Sequence, residues 1–251
     1  MIPAFRLLVA LTSAALVATA VHAQGTIKIG EFASLTGKEA TYGQAAHKGT
    51  LLAIEETNAA GGVLGRKLEL VVEDDQSKPG EAATIAKKLI SRDKVVALLG
   101  EITSGRTLEA VPIAQNAKIP LISPGATAPE VTSKGNYIFR VCFIDSFQGT
   151  VMAKFARTSL KLRRVAILSS VSSAQSVGLS KYFKQKFAED GGTVALEQKY
   201  SEGDKDFRAQ HTAINSPPTI YPVTESGWPW IFGPSRSSTG TARFAQPAAS
   251  G

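Results

Sequence analysis

The chain has 251 residues, 43% of them hydrophobic and 20% charged, enough to bury one large or two small cores. That balance excludes a wholly disordered chain, a collagen and a multi-span membrane protein. One cysteine excludes a disulfide scaffold and a Cys-rich zinc module, and three histidines (His22, His47, His211) leave little for a His-built metal site. The formal charge of +7 comes from basic residues scattered among acids, as in Arg92-Asp93-Lys94, which describes a solvated surface and not a nucleic-acid face.

Residues 1–23 read as a signal peptide: Arg6 is positive, Leu7 to Val21 is apolar but short, and Val21-His22-Ala23 fits a small-residue cleavage site. An exported, periplasmic mature chain beginning near Gln24 is the expectation.

From Thr26 onward strands and helices alternate. Thr26 to Ala33 has strand alternation, and Gly43 to Ala60 has a helical face of small residues at Ala46, Gly49, Ala53 and Thr57. Gly61-Gly62 ends that helix, since the residue after a helix commonly takes positive φ. Leu68 to Glu73 is the next strand. Pro79 opens a helix from Gly80 to Arg92, with Ala82, Ile85, Ala86 and Leu89 facing inward. Val95 to Leu99 and Ile119 to Ile122 are short apolar runs of the kind found in parallel sheets covered on both faces. A helix over 105–116 separates them. Strands at Tyr137–Val141, Val165–Leu168 and Val194–Gln198 alternate with helices at Phe147–Thr158 and Val177–Asp190. This order predicts an α/β fold of doubly wound parallel sheets with right-handed crossovers.

The composition changes after Ile214. Six of the twelve prolines and both tryptophans lie in the last 37 residues, Asn215 to Gly251, with no lysine and one acid, Glu225. That stretch has neither period, so it is expected not to pack with what precedes it. A gene read out of frame explains Trp228-Pro229-Trp230-Ile231-Phe232 better than a designed linker does.

Most candidate chemistry reduces to ordinary structure. Gly61-Gly62-Val63-Leu64-Gly65 follows a helix and does not join a strand to one, so it fails as a dinucleotide loop. Glu73-Asp74-Asp75 reads as capping and solvated-turn carboxylates. No G-x-S-x-G surrounds Ser104, and His47, expected to face solvent, has no assignable partner acid; a hydrolase is unsupported. Cys142, in the apolar run from Tyr137 to Phe143, reads as a buried small hydrophobe.

Two loops stand out: Gly100-Glu101-Ile102-Thr103-Ser104-Gly105, and Ser123-Pro124-Gly125-Ala126-Thr127-Ala128-Pro129-Glu130. Each leaves the carboxyl end of a strand, where open parallel sheets hold their ligands. Free N–H groups at a helix start and small hydroxyls suit a carboxylate, while Gly125 and Ala126 allow close approach to the backbone.

With these loops and with Gly30-Glu31-Phe32-Ala33-Ser34-Leu35-Thr36-Gly37, Asn58-Ala59-Ala60-Gly61-Gly62 and Gly203-Asp204-Lys205-Asp206-Phe207, the chain from Thr26 to about Ile214 resembles the exported substrate-binding proteins of branched-chain amino acid ABC transporters. The resemblance implies two Rossmann-like lobes, the type I periplasmic binding fold, closing over a small ligand without catalysis or cofactor. Its partner would be a permease in the inner membrane, and nucleic acid has no part. It implies that Ser104 offers a hydroxyl and N–H to the ligand's carboxylate. Thr127 gives its N–H to the carboxylate and its hydroxyl to the ammonium group, the Gly125 carbonyl accepts from that ammonium, and Ala126 shapes the wall. Tyr42 lines the side-chain end of the cleft. Gln175 stands where the family commonly has a tyrosine.

The implied organisation is a first lobe over residues 24–142, a partial second lobe over 143–214 and a tail over 215–251. The rest of the second lobe, with its acidic ammonium partner, is not recognisable, which describes a truncated or frameshifted chain with impaired binding and an exposed sheet edge. The alternative function is a sensory or regulatory ligand-binding module on the same fold.

Overall fold

A computed structural model describes residues 25–215 and 221–223. The signal-peptide reading of residues 1–23 and nearly all of the Pro-rich tail therefore lie outside the described residues. Contacts divide the chain into two compact units, Met1–Phe147 with Ser173–Gly178, and Gln148–Ser172 with Leu179–Gly251. The first unit thus extends past residue 142 and takes in the start of a later helix.

The first unit holds five parallel strands, β1 (Ile27–Ala33), β2 (Leu68–Asp74), β3 (Ala97–Leu99), β4 (Leu121–Ser123) and β5 (Ile138–Arg140), in the order β2-β1-β3-β4-β5. The sequence order reverses at β1, so β1 and β3 flank a topological switch point. Between the strands run α1 (Ala40–Ala59), α2 (Glu81–Ser91), α3 (Ser104–Ala117) and α4 (Glu130–Ser133).

Helix α2 buries Ala82, Ile85, Ala86 and Leu89, the face its spacing predicts, against Leu98, Val111 and Leu121 in one core. Small residues on α3, among them Ala110 and Ala114, let it lie close in the same core. The face of α1 differs from expectation. Ala46 and Thr57 are half-buried as expected, but Gly49 and Ala53 are exposed, and the stripe is completed by Gly43, His47, Thr50 and Ile54, with the same period rotated by part of a turn. Gly61 and Gly62, just beyond α1, take φ of 107° and 81°, as the stop signal requires.

The second unit is built on β6 (Arg164–Ser170) and β7 (Thr193–Tyr200), with most of α5 (Asp145–Thr158) and α6 (Ala174–Glu189). Its core joins Ala153, Ala156, Val165, Ile167, Phe183 and Phe187, the two phenylalanine rings stacking with centroids 5.4 Å apart. A short helix, α7 (Arg208–Asn215), follows β7. Beyond it β8 (Tyr221–Val223) pairs in parallel with β6, giving the order β7-β6-β8. The expectation that nothing after Ile214 packs therefore fails at Tyr221–Val223. Three residues are too few to show a period, and what places them is the open edge of β6.

Candidate functional site

The two loops singled out from the sequence lie side by side because β3 and β4 are neighbours, Leu99 pairing with Ile122. The β3 loop is held by Glu101, fully buried, whose carboxylate accepts from Ser34 N (3.2 Å), Thr103 N (2.7 Å) and Thr103 Oγ1 (2.6 Å). Arg106, one turn into α3, donates to Thr103 Oγ1, to Ser77 O and to Glu39 at the start of α1. These bonds bring the approach to α1 and the β2–α2 turn to the β3 loop.

The β4 loop is held more tightly still. Ser123 Oγ donates to Glu101 O (2.6 Å) and accepts from Ala126 N (2.9 Å). Arg140, beside Ser123 on β5, donates to the carbonyls of Ala126, Ala128 and Pro129 at 2.7, 2.8 and 3.2 Å and to Thr132 Oγ1 at 2.8 Å. The Ala128 N–H donates to Ser104 Oγ at 3.1 Å, so the first residue of α3 is tied directly to the β4 loop. Asp145 N, at the start of α5, donates to Thr127 O at 3.0 Å.

Among the described residues none of the bonds that hold this loop uses the Thr127 N–H, the Thr127 hydroxyl or the Gly125 carbonyl. The first N–H groups of α3, from Ser104 on, have no carbonyl a turn behind them, so they add a positive potential beside that loop. The combination offers donors for an anion and acceptors for a cation on one rigid backbone.

Of the sequence-predicted residues, Ser104, Gly125, Ala126 and Thr127 come together; Ser104, Ala126 and Thr127 are buried. Gly125 has a second reason to be glycine: a Cβ there would lie 2.3 Å from the Ile102 side chain. Tyr42, on the first turn of α1, is 65% exposed, and Gln175, on the first turn of α6, is half-buried; among the described residues no hydrogen bond joins either to the β4 loop.

Three expectations need correction. His47 is half-buried and has a partner acid: its Nδ1 lies 2.5 Å from Oε2 of Glu31, itself 2% exposed on β1. Sixteen residues and a strand-to-helix crossover separate the two, so no spacing rule pairs them. Asp75 is no solvated turn carboxylate but fully buried, accepting from Ser34 Oγ (2.7 Å) and Ser77 N (2.9 Å), and burial raises its pKa. Asp74 does cap the turn as expected, and its bonds to Thr36, Gln76 and Leu35 outweigh burial and lower its pKa. Cys142 is half-buried, donating to Ala126 O (3.6 Å), and burial pushes its thiol up, away from reactivity.

Glu101, Arg140 and Asp145 were missed. Arg140 carried a readable signal, a single cation inside the apolar run from Tyr137 to Phe143. Among the described residues no three His, Cys, Asp or Glu side chains form a group able to hold a metal. An apolar pocket of about 120 Å³ opens at the same strand ends, lined by Glu31, Gly43, Ala46, Gly100, Ile102 and Pro124 among others; it takes in part of both loops, although none of the predicted ligand residues lines it.

The chain is similar to known proteins over most of these elements. Residues 26–217 match the model of the periplasmic binding protein family. The leucine-, isoleucine-, valine-, threonine- and alanine-binding protein of Pseudomonas aeruginosa is 37% identical over 188 residues, 74% of this chain and 50% of that protein. Among solved structures, a leucine-binding protein from Thermotoga maritima aligns with a TM-score of 0.71 and 38% identity, over 75% of this chain and 53% of that one. The substrate-binding protein LivJ of a branched-chain amino acid transporter from Streptococcus pneumoniae, in complex with isoleucine, aligns with a TM-score of 0.72 and 36% identity, over 77% of this chain and 55% of that one. The chain spans about half the length of the relatives it matches. With its parallel α/β sheets and the family match over residues 26–217, the chain belongs to the periplasmic binding proteins, a family of type I binding folds and not of enzymes.

Proposed function

We propose that the chain supplies the primary amino-acid-binding surface of an exported solute-binding protein, which hands its ligand to the permease of an ABC importer. One observation carries the reading: the β4 loop is fixed by Ser123, Ser104 and Arg140 in bonds that spare the Thr127 N–H, the Thr127 hydroxyl and the Gly125 carbonyl. Ser104 and the Thr127 N–H take the α-carboxylate, while the Gly125 carbonyl and the Thr127 oxygen take the ammonium group. Ala126 forms the adjoining wall, Tyr42 contacts the aliphatic side chain, and Gln175 contributes from α6. The names of the similar proteins, which bind leucine, isoleucine and valine, support a branched-chain ligand.

The contacts named here all come from one unit of the fold, so we expect weak binding by the 251-residue chain. The expected Kd for L-leucine is about 1 mM or above, equivalent to about −4 kcal/mol. Amide chemical shifts test this. Millimolar L-leucine moves the Ser104, Thr127 and Ala128 signals, whereas isovalerate, which lacks the ammonium, moves them far less. Unmoved signals at all three residues would overturn the reading. Micromolar binding would leave capture standing and overturn the impairment.

A further inference from the structure

Asp145 opens α5 and is fully buried, yet among the described residues no partner reaches either of its carboxyl oxygens at ordinary hydrogen-bond geometry. Thr127, 5% exposed, likewise has a buried hydroxyl with no partner at ordinary hydrogen-bond geometry among the described residues. The two are already joined through the backbone, Asp145 N donating to Thr127 O at 3.0 Å. The backbone of α6 also lies against the carboxylate. A Cβ at Gly178 would come within 2.5 Å of Asp145 Oδ2, so the glycine makes the room that the carboxylate occupies.

We infer that Asp145 is the positioning residue of the ligand loop: its carboxylate accepts a hydrogen bond from the Thr127 hydroxyl, leaving that oxygen's lone pairs to accept from a ligand's ammonium group. The inference rests on the proposed capture of an amino acid and adds a residue and a direction to it. A hydroxyl has one proton and two lone pairs. If it donates that hydrogen bond to Asp145 it can only accept from the ligand, which selects a cationic donor. If Asp145 is itself protonated it can donate to Thr127, and the hydroxyl proton is then free to turn toward the ammonium and oppose it.

The surroundings tune the switch between these states. Burial pushes the Asp145 pKa up to about 6, with the nearby Glu130 carboxylate acting in the same direction. The neighbouring Thr127 hydroxyl, turned toward the carboxylate, and the Arg140 guanidinium favour the ionised form and oppose that rise. Cys142, whose thiol is the other titratable group in electrostatic contact with Asp145, stays neutral because its own pKa is raised. From α6 the neighbour is Gly178, which has no charge. A bound ammonium would favour the ionised carboxylate, so binding near pH 6 releases a proton.

The test follows the Asp145 carboxyl carbon by NMR in the full 251-residue chain, the signal being identified by its loss in D145N. The wild type titrates with a midpoint near 6. T127V, which lacks the donor, raises the midpoint by about one pH unit, and T127S restores it. An unchanged midpoint in T127V overturns the inference, and this arm needs no ligand. In the second arm, L-leucine lowers the wild-type midpoint, and its affinity rises severalfold from pH 5 to pH 7.5 in the wild type but stays level in D145N. Equal pH dependence in the two proteins overturns the inference even where leucine binds. If leucine moves no signal at Ser104 or Thr127, the capture reading fails, while the T127V midpoint still decides the role of Asp145.

Discussion

Asp145 and Ser104 bear on the same loop and respond differently to removal. The folded pKa of Asp145 is raised, from 3.8 to about 6, so its favourable contribution is complete below the unfolded value and is lost as pH rises through about 6. At about 1.4 kcal/mol per pH unit that amounts to about 3 kcal/mol. Urea unfolding of wild type and D145N at pH 4 and pH 7.5 measures it: the stability of D145N relative to wild type should increase toward the higher pH. Equal differences at both pH values would exclude a raised pKa. S104A leaves the buried Ala128 N–H without its acceptor and should cost about 1–3 kcal/mol in the same assay at any pH. At this scale the sequence revealed what sits at strand ends. The strand-end loops that carry Ser104 and Thr127 were legible from the short apolar runs before them, and such loops are where parallel sheets hold ligands. Glu101, Asp145 and the Glu31–His47 pair were not, since a buried carboxylate is recognised by what surrounds it, and those partners arrive from distant stretches of chain.

Helix α6 carries a conflict between propensity and packing. Alanine is the better helix former by up to about 1 kcal/mol, yet a Cβ at Gly178 would meet the Asp145 carboxylate, a short buried side chain with little room to yield. G178A should therefore lower the urea midpoint despite its helical preference, and G178A combined with D145A should recover part of the loss. A gain in stability from G178A alone would refute the contact. Elements of this length were largely legible: α2 follows from its apolar spacing, and β3 and β4 from short apolar runs bounded by Gly and Pro. The misreadings have a common cause. Helix α1 buries little beyond Gly43, so its small residues did not mark the inward face, and β8 is defined by the neighbour it joins.

Each of the two units has its own core, Leu89 being fully buried in the first and Phe187 in the second. Calorimetry should therefore resolve two unfolding transitions. L89A, costing about 2–5 kcal/mol, lowers only one of them, and F187A, costing about 3–5 kcal/mol, lowers only the other. A single transition that both variants lower equally would mean that the units unfold as one. The alternation of strand and helix forecast the α/β class at this scale. The division at Phe147 rather than residue 142 was hidden, because it depends on Ala174 packing on the first core and on Gly178 lying against Asp145.

The single thiol of the chain, on Cys142, donates to the carbonyl of Ala126, the residue before Thr127. Only the thiolate attacks a disulfide reagent, and the raised pKa keeps that form scarce while the bond to Ala126 persists. The rate at which a disulfide reagent consumes Cys142 is therefore a clock for local opening of the loop, with no label to install and no other thiol to interfere. A solute that braces Gly125 to Thr127 slows that clock, so a colour change in a cuvette can rank candidate ligands before any is titrated.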